Sequence, residues 1–536
     1  MNSDTRVELQ KQFALAGATV LLLVAPYMPV GGAPLAPLAF VALVPFAALL
    51  ERTSLPRMLL LSYLTGVAFF CVGIGWLAST TVIGWLALCL YLALYFALTA
   101  VGVRAVRRLI GLPMALALPM AWTSAEFIRA WLLTGLPWLQ LGHTQNEWVT
   151  LVQVADVAGV YGVSFIIAAI NGLIFDALCA ARIAKASTED GRWQRVAWMA
   201  AGVAAMLGAD LGYGLFRLHT TQLTPGPKLA VVQANIPQDV KHDPSMEARR
   251  RSFDTHIALS RLALTGHASS TDDKPVDLIV WPETMIPGVL NDDTDPWSAE
   301  MRQRLTELAR RGRCRLLVGG TCIPGGTDGE TVYNSAYYID PVGGADRPVE
   351  RYDKMHLVPF GEYVPLKRLL WFLLPVVPYE MGFSPGEVAT TFDLVGSRFG
   401  VFICFEDIFP QLVGQFFGSE REVDFLINIS NDGWFGDSFE LDQHLAITRF
   451  RAIENRIGIV RATNTGISAF IAPTGRVHSV LEQDGRRRLV AGYLVDRVML
   501  DARRTLYTRW GDAFAWANLG LCAALVAFGL ARRAAG

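Results

Sequence analysis

Cys404 is the first residue of this chain that could do chemistry. It lies in the stretch VFICFEDIFP, where an apolar run precedes the thiol and Glu406 and Asp407 follow it closely. Nearby negative charge raises the pKa of a thiol and makes it a weaker nucleophile. Cys404 is therefore either an ordinary buried strand residue or a nucleophile that is activated by groups from elsewhere in the chain.

Glu283 in VWPETMIP and Lys354 in RYDKMHLVPFGEYVP are the groups that could activate it. Glu283 ends an apolar run next to Pro282 and Trp281, so partial desolvation is expected to raise its pKa toward that of a base working near neutrality. Lys354 would offer a fixed ammonium to a developing oxyanion and would favour the thiolate of Cys404. Taken separately, Glu283 also fits a helix N-cap or a surface acid, and Lys354 fits a surface lysine.

The other cysteines are weaker candidates for a nucleophile. The chain has seven. Cys314 and Cys322 bracket one predicted strand, which would hold them roughly 25 Å apart at about 3.3 Å per residue, too far for a disulfide. Cys314, Cys322 and Cys404 are three thiols that cannot all pair with one another, so at least one of them stays free. Four more cysteines lie in apolar segments and are expected to be packing residues: Cys71, Cys89, Cys179 and Cys522.

Long apolar segments account for the unusual composition of the chain. Its 536 residues are 52% hydrophobic and only 18% charged, with a mean hydropathy of +0.34, which is too apolar for an ordinary soluble enzyme. The net charge of -1 gives no sign of a nucleic-acid partner. Segments of about 17–25 apolar residues can cross a bilayer as helices. Eight such spans are predicted, at 13–30, 34–50, 58–78, 82–103, 109–132, 157–181, 196–216 and 513–530.

Lysine and arginine are distributed unequally among the connections between these spans. The short connections 31–33, 79–81 and 133–156 contain neither residue type. The basic residues flanking the spans are Arg6, Lys11, Arg52, Arg57, Arg104, Arg107, Arg108, Arg182, Lys185, Arg192, Arg195, Arg532 and Arg533. The positive-inside rule then predicts that both chain termini lie in the cytoplasm and that the long segment between the last two spans lies on the opposite side.

That long segment has the pattern of one α/β domain. We predict a transmembrane domain at 1–216, a catalytic domain at 217–511, and a last helix with a cytoplasmic tail at 512–536. Near-continuous apolar runs such as KLAVVQANI, VDLIVWPE and FGVFICFED predict strands that are buried on both faces. Sheets covered by helices on their outer faces are therefore expected. Helical patterns occur at 246–264, 298–311 and 444–456.

The segment 366–383 does not fit the α/β pattern. It is strongly apolar, contains two prolines and is too short to span a bilayer. It fits either a buried loop or an arm that enters the membrane interface, with Trp371, Phe372 and Leu373 as lipid contacts.

Polar residues within the membrane part have no clear role from sequence. Glu126 and Arg129 are three residues apart on one helical face of the predicted fifth span. Such charges are costly in a membrane and are usually paired, so an ion pair that orients the helix is expected. Binding of a phospholipid headgroup is the alternative. The sequence likewise assigns no role to Trp138 and His143, which lie in the connection that follows this span.

Taken together, the motifs around Glu283, Lys354 and Cys404 resemble the Glu–Lys–Cys triad of the nitrilase superfamily. Domains of that superfamily are αββα sandwiches that cleave C–N bonds or transfer acyl groups through a cysteine thioester. Such a domain between the last two of eight spans resembles the apolipoprotein N-acyltransferase family of the bacterial inner membrane. The stretches LTGLPWLQLGHTQ, VVQANIPQDVK, NDGWFGDS and RATNTGISAFIAPTGR resemble the same family.

The resemblance implies a role for each residue of the site. Glu283 would be the general base, Lys354 the stabiliser of oxyanion and thiolate, and Cys404 the nucleophile. Phe405 replaces a tyrosine that is frequent in the family, and His242 replaces a tryptophan found in some members. The implied supporting residues are Glu362, Phe405, Glu406 and Trp434.

The resemblance also implies a reaction, its partners and its location. An acyl chain would pass from the sn-1 position of a phospholipid, through a thioester on Cys404, to the α-amino group of the diacylglyceryl-cysteine of an apolipoprotein. This ping-pong reaction would be the final step of lipoprotein maturation and would need no cofactor or metal. The catalytic domain would be periplasmic, on the inner membrane. The alternatives are a membrane-tethered amidase that hydrolyses a small C–N substrate, and a non-catalytic lipoprotein-binding scaffold or transporter.

Overall fold

The chain divides into two compact units, a helical unit and a sheet unit. The helical unit comprises Met1–Thr221 with Thr505–Gly536, and the sheet unit comprises Gln222–Arg504. The structure is a computed structural model that describes residues 3–28, 35–184, 191–266, 275–324, 331–341, 350–364, 382–417 and 423–535.

The helical unit consists of α-helices joined by short connections and 3-10 turns. Its helices are α1 (Ser3–Val24), α2 (Ala39–Ala42), α3 (Val44–Arg52), α4 (Leu55–Gly73), α5 (Val82–Leu92), α6 (Leu94–Ile110), α7 (Met114–Trp131), α8 (Ala155–Ala184), α9 (Gly191–His219), α15 (Leu506–Trp510) and α16 (Ala513–Ala535). Within the described residues, six helical stretches are long and apolar enough to cross a membrane. They are Arg6–Tyr27, Leu55–Gly73, Val82–Ile110, Leu151–Arg182, Trp193–His219 and Ala513–Ala534.

The predicted number of eight spans is not confirmed. The segment expected at 34–50 is interrupted at Leu43, so it forms the two short helices α2 and α3 instead of one long helix. The segment expected at 109–132 forms α7, an 18-residue helix that carries Glu126 and Arg129. These charges lower the mean hydropathy of a helix that is already of minimal length for a span.

Glu126 and Arg129 both bind the backbone of the chain that follows α7. Arg129 donates hydrogen bonds to the carbonyl oxygens of Leu136, at 3.1 Å, and of Trp138. Glu126 accepts one from the backbone N–H of Leu141 at 2.6 Å. The expected direct ion pair between Glu126 and Arg129 is not formed; both charges instead fix the connection at 136–141, in which Trp138 is buried.

Two six-stranded sheets form the sheet unit. The first has the order β12-β1-β2-β3-β4-β5 and the second β11-β10-β9-β8-β7-β6. In each sheet the three central strands, β1–β2–β3 and β7–β8–β9, run parallel, and the outer strands pair antiparallel. The strands are β1 (Thr224–Gln233), β2 (Leu278–Val280), β3 (Arg315–Cys322), β4 (Tyr333–Ile339), β5 (Glu350–Asp353), β6 (Thr391–Leu394), β7 (Ser397–Ile403), β8 (Phe425–Ser430), β9 (Gly458–Thr463), β10 (Ala469–Ile471), β11 (Val477–Val480) and β12 (Gly492–Leu500).

Alternating side chains of the central strands build two separate apolar layers. Leu229 and Val231 of β1 face the second sheet and share a core with its residue Val401. Ala230 and Val232 face the other way, toward helices. Because side chains alternate along a strand, a stretch buried on both faces must be apolar throughout, as β1 is from Leu229 to Val232.

Helices cover the outer faces of both sheets. The helices of this unit are α10 (Gln238–His242), α11 (Met246–Thr265), α12 (Pro296–Gly312), α13 (Pro410–Val413) and α14 (Glu440–Asn455). Apolar residues of α11 and α12 pack on the first sheet, and those of α14 pack with the second. The predicted αββα sandwich and its three predicted helices are thereby confirmed. The expected arm at 366–383, with Trp371, Phe372 and Leu373, lies almost entirely outside the described residues.

Candidate active site

The three predicted catalytic residues follow the ends of strands from both sheets. Glu283 comes after β2, Lys354 directly follows β5, and Cys404 directly follows β7. Asn431 follows β8, which is parallel to β7. Since parallel strands end at the same edge of a sheet, this topology collects groups that are far apart in sequence.

Glu283 is held by hydrogen bonds to both of its carboxylate oxygens. Its Oε1 accepts from Asn334 Nδ2 at 2.7 Å and from Lys354 Nζ at 3.2 Å. Its Oε2 accepts from the backbone N–H of Asn431 at 3.0 Å. Only 6% of Glu283 is exposed. The carboxylate is therefore fixed in orientation and largely removed from water.

The expected rise in the pKa of Glu283 is wrong. Burial does oppose its charged form, but Lys354, Lys241 and the hydrogen bond from Asn334 outweigh burial, so the pKa lies below its usual range. The sequence indicates desolvation of Glu283 and a role for Lys354, but it gives no sign of Lys241. Glu283 is accordingly a carboxylate at neutral pH, ready to accept a proton.

Lys354 connects two acids of the site. Its ammonium donates to Glu283 and, at 2.9 Å, to Oε1 of Glu362. Asn334 Nδ2 bridges the same two carboxylates, at 3.1 Å from Glu362. Burial disfavours the ammonium of Lys354, but the charges of Glu283 and Glu362 outweigh this and raise its pKa well above the usual range. Lys354 therefore remains a cation although it is almost fully buried.

Cys404 has an unusual backbone conformation. It lies at the first position of a 3-10 turn and has a φ of +56°, in the left-handed region that L-residues rarely adopt. Its carbonyl oxygen accepts a hydrogen bond from Asn428 Nδ2 at 3.0 Å. Strained positions of this kind cluster at functional sites. Cys314 and Cys322 are also free thiols, but both are buried in the core against α11 and α12.

The Cys404 thiol is neutral in the resting site. Burial and the negative charge of Glu283 raise its pKa well above the usual range, against the opposing effects of Lys354 and a hydrogen bond with Ser430. Lys354 does favour the thiolate, as expected, but it does not outweigh burial. A neutral thiol needs a base before it can act as a nucleophile, and Glu283 is a carboxylate whose charge acts on this thiol.

Glu406 fixes the loop that carries Lys354. Its carboxylate accepts hydrogen bonds from the backbone N–H groups of Met355, His356 and Ile403 at 2.7–2.9 Å, and from the hydroxyl of Tyr352 at 2.9 Å. Glu406 is fully buried. It ties the end of β7 to the segment after β5 and so fixes the position of Cys404 relative to Lys354.

Two predicted aromatic residues border the site. The ring centroid of Phe405 lies 6.0 Å from Lys354 Nζ. Trp434 lies in a 3-10 turn after β8, next to Gln238 of α10. With its amide oxygen facing these donors, Gln238 accepts from the backbone N–H of Trp434 at 3.2 Å and from its indole Nε1 at 3.3 Å. The side chain of His242 lies outside the described residues.

Lys241 is a second lysine at the site. It belongs to the short helix α10, and its ammonium hydrogen-bonds to the hydroxyl of Thr284, the residue after Glu283. Thr284 has a φ of +53°, which is rare for a β-branched residue. Burial lowers the pKa of Lys241 to about 8, although Glu283 and Cys404 both favour its charged form. The site thus contains two cations, where sequence reasoning had identified one.

A buried ionic network lies behind Cys404. Asp432, Glu440 and His444 offer ligand atoms within 4.8 Å of one another, a spacing compatible with a metal ion. Arg461, however, already contacts both Asp432 and His444 at 2.8 Å. Arg461 lowers the pKa of Asp432 well below its usual range, although burial opposes this. We therefore interpret the cluster as a structural ion network with arginine as its cation.

The residues that sequence reasoning missed share one property: they act through contacts between distant segments. Asn334 is the second residue of β4, where the sequence YNSAYY is typical of a strand, and its partners Glu283 and Glu362 are 51 and 28 residues away. Lys241 and Gln238 lie within VVQANIPQDVK, a stretch that resembles the family but indicates no role for single residues.

Comparisons with known proteins show which families the chain resembles. Residues 17–173 match the family described as apolipoprotein N-acyltransferase N-terminal domain, and residues 177–498 match the carbon–nitrogen hydrolase family. An apolipoprotein N-acyltransferase of Geobacter metallireducens is 33% identical over 93% of this chain and 92% of its own length. One from Methylococcus capsulatus is 32% identical over 98% of this chain and 96% of its own. A Nesterenkonia amidase from the nitrilase superfamily has a TM-score of 0.38 at 18% identity and covers 56% of this chain and 99% of its own.

The sheet unit is thus a carbon–nitrogen hydrolase domain, with a carboxylate, an ammonium and a thiol at its strand ends. The helical unit carries the stretches that can cross a membrane. With both parts matched over nearly its whole length, the chain belongs to the apolipoprotein N-acyltransferase family. The predicted resemblance is confirmed.

Proposed function

We propose that this protein transfers an acyl chain from a membrane phospholipid to the N-terminal amine of a diacylated apolipoprotein. The observation that carries the mechanism is the contact between Glu283 and Lys354, 3.2 Å apart and buried, beside a strained and neutral Cys404. The relatives named above carry the name of this activity.

The first half-reaction loads the enzyme. Glu283 accepts the Cys404 proton as the sulfur attacks the sn-1 ester carbonyl of the phospholipid. The ammonium of Lys354 and nearby backbone N–H groups stabilise the tetrahedral oxyanion. The C–O bond breaks, Glu283 returns the proton to the departing alkoxide, and lysophospholipid leaves. An acyl thioester remains on Cys404.

The second half-reaction transfers the acyl chain from Cys404 to the acceptor amine. The neutral α-amino group of the diacylglyceryl-cysteine attacks the thioester, and Glu283 accepts a proton from the nitrogen. The C–S bond breaks, the thiol of Cys404 is restored, and the product is an N-acylated lipoprotein. Glu283 suits both directions of proton transfer because Asn334 and Asn431 keep its two oxygens in place.

A membrane location fits both substrates. The chain is a multi-pass membrane protein of a bacterial family. Moving an acyl chain into water costs about 0.8 kcal/mol per CH₂, so an enzyme that stays beside the bilayer avoids a large barrier. We place the protein in the inner membrane with both termini in the cytoplasm and the sheet unit in the periplasm. The basic residues at the span ends support that orientation.

Mass spectrometry of the intact protein tests the proposal. Purified protein incubated with phospholipid is expected to gain one acyl mass on Cys404, and a diacylated lipopeptide is expected to remove it and become N-acylated. Cys404→Ser abolishes the adduct. Cys314→Ala, a change at another free thiol of the same unit, leaves it intact. Discharge by water without transfer would indicate an amidase, and no adduct would indicate a non-catalytic scaffold.

A further inference from the structure

The helical unit contains a cavity of about 700 Å³ that the proposed reaction does not use. The end of α6 contributes Arg104, Arg107 and Arg108, and the beginning of α9 contributes Arg195 and Trp198. Sites for small-molecule ligands typically measure about 300–1,000 Å³. The cavity is therefore large enough for part of a lipid molecule.

Positive charge is in excess around this cavity. Its lining contains four arginines and only two carboxylates. Both carboxylates lie beside Arg107, with Glu51 at 3.3 Å and Asp176 at 3.9 Å. Asp176 also accepts a hydrogen bond from the backbone N–H of Ala115, at the start of α7. Among the four arginines of the lining, all of them described, only Arg107 forms an ion pair with either acid.

The remaining arginines are free to bind an anion. Arg104 donates to the carbonyl oxygen of Thr53 at 3.1 Å, which fixes its position, and Glu51 acts on its charge without forming an ion pair with it. Within the described part of the chain, Arg108 and Arg195 form no ion pair. Both are exposed, so their guanidinium groups can reach a ligand at the cavity mouth.

The cavity lies where membrane-crossing segments end. Arg107 and Arg108 are in the last turn of the candidate span Val82–Ile110, and Arg195 is in the first turn of the candidate span Trp193–His219. Trp198 is 73% exposed, as expected for an aromatic residue at the headgroup level. Apolar side chains such as Val103 and Met199 complete the lining. Arginines for the phosphate and apolar side chains for the hydrocarbon are the two features that a phospholipid site needs.

We propose that this cavity binds one anionic phospholipid, with its phosphate between Arg108 and Arg195 and an acyl chain against the apolar lining. Basic pockets between membrane helices are suited to anionic headgroups. The site is formed within the helical unit alone and does not depend on the reaction proposed above. Free inorganic phosphate shares the headgroup chemistry but cannot use the apolar lining.

Lipid binding to the full-length protein in detergent tests this proposal. Phosphatidylglycerol, phosphatidylcholine with the same acyl chains, and inorganic phosphate are each titrated, and bound lipid is counted by native mass spectrometry. Each basic group near an anionic lipid contributes about fivefold in affinity, so Arg108→Gln with Arg195→Gln should weaken phosphatidylglycerol binding by about 30-fold. Lysine at both positions should retain binding to within about fivefold.

The control removes two charges of the same sign outside the cavity. Arg52→Gln with Arg57→Gln changes exposed residues near the ends of α3 and α4 that do not line it. Binding in this control should stay within about twofold. Equal loss in both double variants would overturn the proposal in favour of general surface attraction. Equal binding of phosphatidylcholine would overturn the proposed selectivity for anionic headgroups. Saturation of the site by inorganic phosphate alone would overturn the proposal that the ligand is a lipid.

Discussion

Replacement of Asn334 by leucine tests whether the neighbours of Glu283 set the pKa of the base. Asn334 Nδ2 donates to Glu283 at 2.7 Å and to Glu362 at 3.1 Å, so it stabilises two carboxylates that repel each other. Leucine has a similar size and cannot donate. Without the amide, the charged form of Glu283 loses a hydrogen bond and is exposed to more of the repulsion from Glu362.

The magnitude follows from the hydrogen bond. A hydrogen bond to a charged group contributes about 1.5–3 kcal/mol, which corresponds to about one to two pKa units at 1.36 kcal/mol per unit. The pKa of Glu283 in the wild type lies below its usual range, so Asn334→Leu should raise it by about that amount. The base works when deprotonated. The acidic limb of the pH–rate profile should therefore move to higher pH by about one to two units, while the rate on the alkaline side is largely kept.

The assay is the rate of acyl-enzyme formation from excess phospholipid, followed by mass spectrometry from about pH 4 to pH 9. Asn291→Leu is the control, because Asn291 is a partly buried asparagine of the same unit that binds the carbonyl oxygen of Ile323. An acidic limb that stays in place in Asn334→Leu would refute the reasoning. So would an equal displacement in Asn291→Leu.

Three further changes probe other parts of the site. Glu406→Gln leaves at least one backbone N–H donor facing an amide NH₂, so the free energy of unfolding should fall by about 1.5–3 kcal/mol, measured as a lower melting temperature. Its control is Glu387→Gln, a change at an exposed acid that should leave the melting temperature unchanged. Lys241→Met removes a cation that interacts with the thiol, so alkylation of the thiol should require higher pH; an unchanged pH profile would contradict this. Serine at all of 371–373 should raise the apparent KM for phospholipid and leave thiol alkylation unchanged, and unaltered lipid kinetics would argue against a lipid-contacting arm.

The sequence predicts the framework of this protein well because that framework depends on local patterns. A strand buried on both faces must be apolar along its length, so β1, β2 and β7 are visible in the sequence, and the groups after such strands are natural candidates for a site. The resemblance then points to Glu283, Lys354 and Cys404 as a set. Their roles stay predictions until the acyl-enzyme is observed.

What the sequence predicts poorly is electrostatics. The burial of Glu283 could be inferred from its neighbours, and burial alone predicts a raised pKa. The actual direction of the pKa shift depends on Lys354, Lys241 and Asn334, which reach Glu283 from other segments of the fold. The membrane part presents the same difficulty. Segment length and hydropathy predict a helix over 34–50, but they do not reveal the break at Leu43.

The left-handed conformation of Cys404 has a consequence for the stability of the whole sheet unit. An L-residue held there costs about 1–2 kcal/mol relative to the usual backbone regions, and glycine largely escapes that cost. Cys404→Gly should therefore make the folded state more stable than Cys404→Ala does, while both are inactive. Under the proposed mechanism, reactivity and stability therefore favour different residues at this position of the chain. Cys404→Gly thus gains stability in the folded state and loses the thiol that the proposed mechanism requires.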